Sequence, residues 1–273
     1  MPKFEDYTLV LGAHGSEAAP DSNAPVDVLA GQIRDLDLFD QVTPAYLMGR
    51  PSMEHVLERV SSRNVVVVPL MTSSGYYLNS VIPKRLAANE GSDQRQWFIS
   101  PVAGMHPRIA PLMIERIKSD LQEHELAESQ TTIALIGHGT RRNRLSGKST
   151  YALFEQLRQA FPAARNRVAF LDQDPDATLV AASILEGHTI VVPFLVSRGP
   201  HTTVDVPEAF GLPAGPQVQF PIVFEKKTRV GSQTTICQSP LAYYPEMAEI
   251  VIDLAETAIE QKQTLTLPQL EIA

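Results

Sequence analysis

A chain of 273 residues with 44% hydrophobic and 20% charged residues has the length of two ordinary domains and the composition of a globular protein. Its net charge of −8 argues against nucleic acid as a partner, because phosphate contacts need clustered Lys and Arg. The single cysteine, Cys237, excludes an internal disulfide framework and any cysteine-built zinc or iron–sulfur centre within one chain. No run of 18 apolar residues occurs and the opening MPKFEDY has no signal-peptide core, so a cytoplasmic protein without membrane contact is expected.

Residues 7–13 (YTLVLGA) are apolar throughout and predict a buried parallel strand. Residues 24–36 predict a helix, with Val28, Leu29, Ile33 and Leu36 at helical spacing. A strand over Gln41–Leu47, a helix over Ser52–Val60 with Ser52 as N-cap, and a strand over Asn64–Leu70 follow. A strand-Pro element (QWFISPVAGMHP) and a helix over Pro107–Gln122 close the first half, and Glu123–Thr131 reads as the linker. The second half predicts strand 131–137, helix 149–160, strand 167–171, helix 176–186 and strand 188–195. It closes with TTICQSPLAYYP and a helix over Pro245–Gln261. The tail Thr264–Ala273 has no evident partner and is expected to be loosely held. Strand–helix alternation at this rhythm predicts an α/β fold: two tandem similar domains, each a small parallel sheet flanked by helices.

The two halves repeat each other at a constant offset of 124 residues. His14 of TLVLGAHGS answers His138 of TIALIGHGT, Arg50-Pro51 answers Asp174-Pro175, and VVVVPLMTSSGYY answers TIVVPFLVSRGPH. Ile82-Pro83 answers Val206-Pro207 at the same offset, after which the second copy carries about 15 extra residues, expected within Gly211–Ser232. Internal duplication follows, with expected domains 1–126 and 127–273. A monomer acting as an internal pseudo-dimer, or a weak homo-oligomer, is compatible with that arrangement.

Ligands of parallel sheets bind at the carboxyl ends of the strands. There the second copy presents His138, Asp172 and His201, and the first presents His14, Met48 and Tyr77. Two imidazoles and a carboxylate can hold a divalent metal or move protons near neutral pH. Basic residues are equally lopsided: Arg141, Arg142, Arg144 and Lys148 follow His138, with Arg198 in the opposite loop, whereas SEAAPDSNA after His14 has none. Such a cluster suits a ligand rich in carboxylates or phosphates. The plain structural readings are a tight turn preserved by the His-Gly-Ser/Thr motif, a cap at Asp172 and a solvated basic loop. Ser146-Gly147-Lys148-Ser149 resembles the end of a phosphate loop, but Arg142 stands where that motif needs glycine. The Arg-His-Gly opening of histidine phosphatases is also absent, since Ala13 and Gly137 precede the two histidines.

The HGS/HGT turn, the VVP-F/L-x3-G-x-H loop and the duplicated half resemble the class II chelatase family, in its long, two-domain sirohydrochlorin cobaltochelatase and ferrochelatase form. The resemblance covers nearly the whole chain. It implies insertion of a divalent metal, Co²⁺ or Fe²⁺ as substrate, into a polycarboxylate tetrapyrrole, with no organic cofactor. It implies catalytic roles for His138, His201 and Asp172, with His138 and His201 on the metal. Arg141, Arg142, Arg144, Lys148, Arg198 and His14 are then expected to contact the tetrapyrrole. The family's acid is usually glutamate, and Asp172 is one methylene shorter. Some long relatives keep their site in the first half; here the second is expected to carry it. A non-catalytic tetrapyrrole or metal carrier on the same scaffold is the alternative, and a phosphoryl-transfer enzyme using His138 with the arginines a third.

Overall fold

The computed structural model describes residues 3–17, 20–89, 91–141, 144–228 and 231–267. The chain forms two compact units: Met1–His106 with Pro245–Ala273 (unit 1), and Pro107–Tyr244 (unit 2).

Unit 1 holds strands β1 (Phe4–Ala13), β2 (Phe39–Tyr46), β3 (Asn64–Pro69) and β4 (Gln96–Ile99) in a parallel sheet of order β2-β1-β3-β4. Helices α1 (Ala24–Arg34) and α2 (Ile82–Ala87) belong to the same unit. Unit 2 begins with α3 (Ile109–Glu123), then β5 (Thr131–Gly137), α4 (Lys148–Ala160), β6 (Arg165–Phe170), α5 (Ala177–Ala182), β7 (His188–Pro193) and α6 (Val206–Ala209). Strands β8 (Ile222–Thr228) and β9 (Gly231–Cys237) complete its sheet, of order β6-β5-β7-β9-β8, before α7 (Glu246–Glu260). The duplication extends to register. Ala13 pairs with Tyr46 as Gly137 pairs with Phe170, and Gly12 with Pro69 as Ile136 with Pro193, each 124 residues on.

The continuous apolar runs are the central strands, because both faces of β1, β3, β5 and β7 are covered: Leu9, Val10, Leu11, Val65 to Val68, Leu135 and Val191 are all buried. The helical faces needed correction. In α1 the buried stripe is Val26, Leu29, Ala30 and Ile33, while Val28 and Leu36 point outward and the helix stops at Arg34. The predicted helix over 52–60 is instead a 3₁₀ segment, Met53–Arg59, interrupted at His55, where φ is −125°. Helix α5 covers only Ala177–Ala182 of the predicted 176–186, and Leu179 and Leu185 are exposed. Its cap is Asp176, whose side chain accepts from Thr178 N and Leu179 N at 2.9 and 3.1 Å.

The extra residues of the second copy form most of the β8–β9 hairpin, with β9 parallel to β7 and β8 antiparallel at the edge. The tail expected to be loosely held has partners at Thr264, Leu265 and Leu267. Leu265 N donates to Trp97 O at 2.9 Å, Thr264 bridges Phe98 antiparallel, and Leu265 and Leu267 pack on the unit 1 core. That added segment covers an otherwise open sheet edge. Residues 268–273 of the predicted tail lie outside the described residues.

The expected division at 126/127 assigned each closing helix to its own copy; the packing assigns it to the other. Helix α7 lies against α1, β3 and β4, and α3 lies against α4 and β7. Asp120 of α3 accepts a 2.6 Å hydrogen bond from Gln238 Nε2, just past β9, while burial raises its carboxyl above the usual range. His106 Nε2 meets Asp253 Oδ2 of α7 at 2.8 Å within unit 1. Periodicity shows that a helix has an apolar face but not which of two homologous sheets covers it. Ile250 on α7 is fully buried, and Trp97, the only tryptophan, is 3% exposed in β4. Ile250→Ala is therefore expected to cost about 2–5 kcal/mol in the denaturant transition reported by Trp97 fluorescence. An unmoved transition would contradict the helix exchange.

Candidate metal and proton-transfer site

In unit 2 the chain passes from β5 to its neighbour β6 and then crosses to β7 on the other side of β5. The order reverses between β5 and β7, and such switch points open a crevice at the carboxyl ends of the strands. His138 follows the last residue of β5, and His201 opens a π-helical turn, His201–Asp205, after β7. Their ring centroids stand 4.7 Å apart with the planes at 84°, edge to face. Both side chains are a little under half exposed.

The turn at His138 is shaped by its flanking glycines. A Cβ on Gly137 would sit 2.5 Å from Thr150 Oγ1. Gly139 has φ +69°, and a Cβ there would lie 2.7 Å from Gln173 Cβ. His138 O accepts from Leu171 N at 3.2 Å and Asp172 N at 2.9 Å, which ties the β5 turn to the loop after β6. His138 Nδ1 lies 2.8 Å from Gly139 O and 3.6 Å from Asp172 Oδ2. Asp172 is thus beside His138 as a charge, too distant for a hydrogen bond.

Unit 1 builds the same backbone with other side chains. Gly15 has φ +67°, Met48 N donates to His14 O at 2.7 Å, and His14 Nδ1 lies 3.0 Å from Gly15 O. Tyr77 opens the matching π-helical turn, its ring centroid 5.7 Å from that of His14. The preserved tight turn is therefore real in both copies, but it is made by glycine and backbone, not by the imidazoles.

Among the described residues no group of three or more His, Cys, Asp or Glu closes around a point that could hold a metal ion. The two histidines expected on the metal, His138 and His201, come together, and Asp172 approaches the Nδ1 side of His138. Two nitrogen donors leave positions of a divalent ion open for water or for a second ligand. Cys237 takes no part, since burial pushes its thiol up to about 12.

The expected basic contacts are distributed unevenly. Arg141 and Lys148 are exposed near the β5 turn. Arg142 lies outside the described residues, and Arg144 begins a 3₁₀ turn, its side chain likewise outside them. Arg198 is engaged within unit 2: it donates to Pro216 O and to Tyr243 OH and lies 5.9 Å over the Phe220 ring. His14 belongs to unit 1. Beside the pair, an open cleft of about 390 Å³ is lined by Asp172, Asp176, His201, Asp205 and Glu208. Its carboxylates favour a dication over an anion there. The residue that sequence reading missed is Asp205, whose Oδ2 lies 2.6 Å from His201 Nδ1. The missed signal is its place four residues after His201, one helical turn away.

The CbiX family model matches residues 8–120 and 132–258, once in each copy. A probable sirohydrochlorin cobaltochelatase from Halobacterium salinarum is 31% identical over 222 residues, covering 73% of this chain and 75% of its own. The structure of CbiX, the terminal enzyme for siroheme biosynthesis in denitrifying bacteria, matches with a TM-score of 0.68 at 20% identity, covering 92% of this chain and 98% of its own. The cobalt complex of the sirohydrochlorin chelatase SirB from Bacillus subtilis subspecies spizizenii gives 0.67 at 13% identity, over 95% of this chain and 99% of its own. A multi-domain protein of Deinococcus radiodurans with structural similarity to chelatases gives 0.67 at 20% identity, and this chain spans 54% of its length. The structural likenesses establish the fold, and with family matches across both copies the chain belongs to the CbiX family.

Proposed function

We propose that the protein inserts Co²⁺ or Fe²⁺ into sirohydrochlorin or a similar polycarboxylate tetrapyrrole, and that the second copy carries the chemistry. The observation on which this rests is the edge-to-face pair His138–His201 at the topological switch point of unit 2. The named relative and the cobalt complex of SirB support the substrate and the metal.

Insertion replaces two pyrrole N–H protons by one dication, so a metal must shed water, be held at the ring and receive pyrrole nitrogens as the protons leave. Neutral imidazoles suit both tasks, since a ring nitrogen lone pair can ligate the ion or accept a proton. A two-nitrogen site is an advantage here, because a metal caged by the protein could not be handed over. Asp172 places a carboxylate 3.6 Å from His138 Nδ1, beside the ring proposed to take part in proton transfer. Exposed Arg141 and Lys148 offer cations to the peripheral carboxylates. No helix among the described residues is long and apolar enough to cross a membrane.

Absorbance-monitored cobalt insertion into sirohydrochlorin tests the proposal. His138→Ala and His201→Ala are each expected to lower the rate by about 10²–10⁴-fold, whereas His14→Ala should cost far less. Unchanged rates in both second-copy variants would overturn the assignment, and ring binding without any acceleration would favour the carrier. Gly139→Ala should act through the turn. Its left-handed backbone costs about 1–2 kcal/mol with a Cβ, and displacement of His138 is expected to lower the insertion rate about tenfold or more.

A further inference from the structure

His138 and His201 are held by different partners. His138 Nδ1 faces the Gly139 carbonyl at 2.8 Å, whereas His201 Nδ1 faces the Asp205 carboxylate at 2.6 Å. Carbonyls and carboxylates only accept, so both contacts place the proton on Nδ1 and leave the neutral ring's lone pair on Nε2. For His138 this follows from the turn itself, since His14 has the same contact to Gly15 O. For His201 it depends on one side chain.

Comparison of the copies separates that side chain from the fold. The π-helical turn forms as Tyr77–Val81 in unit 1 and as His201–Asp205 in unit 2. Val81 therefore occupies the place of Asp205, and the turn closes without any carboxylate. Where the imidazole is replaced by a phenol, the acid is gone as well. Asp205 accompanies the histidine, not the backbone.

We propose that Asp205 is a positioning residue, which fixes His201 in the Nδ1–H tautomer and holds its ring at the angle that presents Nε2 toward the metal. Asp172, the acid expected from the sequence, cannot do this for His138, whose Nδ1 is already given to Gly139 O. Carboxylates behind imidazole ligands commonly set tautomer and orientation in this way. The consequence for catalysis rests on the metal-insertion reading; the tautomer does not.

The test uses the metal-free full chain with ¹⁵N-labelled histidine, above the pH range in which imidazole titrates. Long-range ¹H–¹⁵N spectra should show His201 as the Nδ1–H tautomer in the wild type and in Asp205→Glu. Asp205→Val, the residue that unit 1 carries in the same turn, should shift His201 toward Nε2–H while His138 keeps its Nδ1 proton. Cobalt insertion should fall about 10–100-fold in Asp205→Val and recover substantially in Asp205→Glu. A His201 that stays Nδ1–H in Asp205→Val overturns the proposal, as does an insertion rate within about twofold of wild type in that variant. If the wild type inserts no metal, the function reading fails and the tautomer spectra still decide the role of Asp205.

Discussion

Parallel pairing of one central strand on both of its edges is the constraint on which the functional arrangement depends. Strand β5 is bonded to β6 on one side and β7 on the other, as β1 is to β2 and β3. All three carboxyl ends then emerge at the same edge of the sheet, and the reversal in strand order leaves a gap between the connections. His138 and His201 meet because of that geometry, from positions 63 residues apart in the chain. The left-handed glycine at position 139 and the hydrogen bonds onto His138 O only refine it. The same frame in unit 1 delivers His14 and Tyr77, so the scaffold sets where chemistry can occur while side chains set whether it does.

Much of this was legible in the sequence because buried parallel strands are continuous apolar runs and the repeat supplies an internal alignment. The alternation of strands and helices predicted parallel sheets, and the 124-residue offset placed His138 and His201 on neighbouring loops at the strand ends, where their rings meet. Three things were not legible. Val28 and Leu36 share the chemistry of core residues, and only packing shows that Val26 and Ala30 face the sheet instead. The exchange of α3 and α7 leaves no local trace, since each helix has an apolar face suited to either homologous sheet. The third was Asp205: position after the second strand of the repeat drew notice to Asp172, whereas the acid that bonds an imidazole lies one turn beyond His201.

Helix exchange also links the halves of the chain in a way that duplication alone does not require. Each unit is completed by a helix from the other copy, so neither 1–126 nor 127–273 contains all the residues of one unit. Pro107 precedes the N-cap residue of α3, Arg108, and Pro245 is itself the N-cap residue of α7; a proline at the start of a helix removes no intrahelical donor. The β8–β9 hairpin is confined to unit 2, the unit that carries the two imidazoles, and the segment leading into it engages Arg198 through Pro216 and Phe220.

On the proposed function, the second copy keeps the chemistry at His138 and His201, and the first has lost it at His14. Anomalous diffraction from crystals of the full chain soaked with Co²⁺ tests it most directly. A cobalt peak is expected within bonding distance of the Nε2 atoms of His138 and His201, with none of comparable strength at His14. A cobalt peak at His14, with the His138–His201 pair empty, would contradict it.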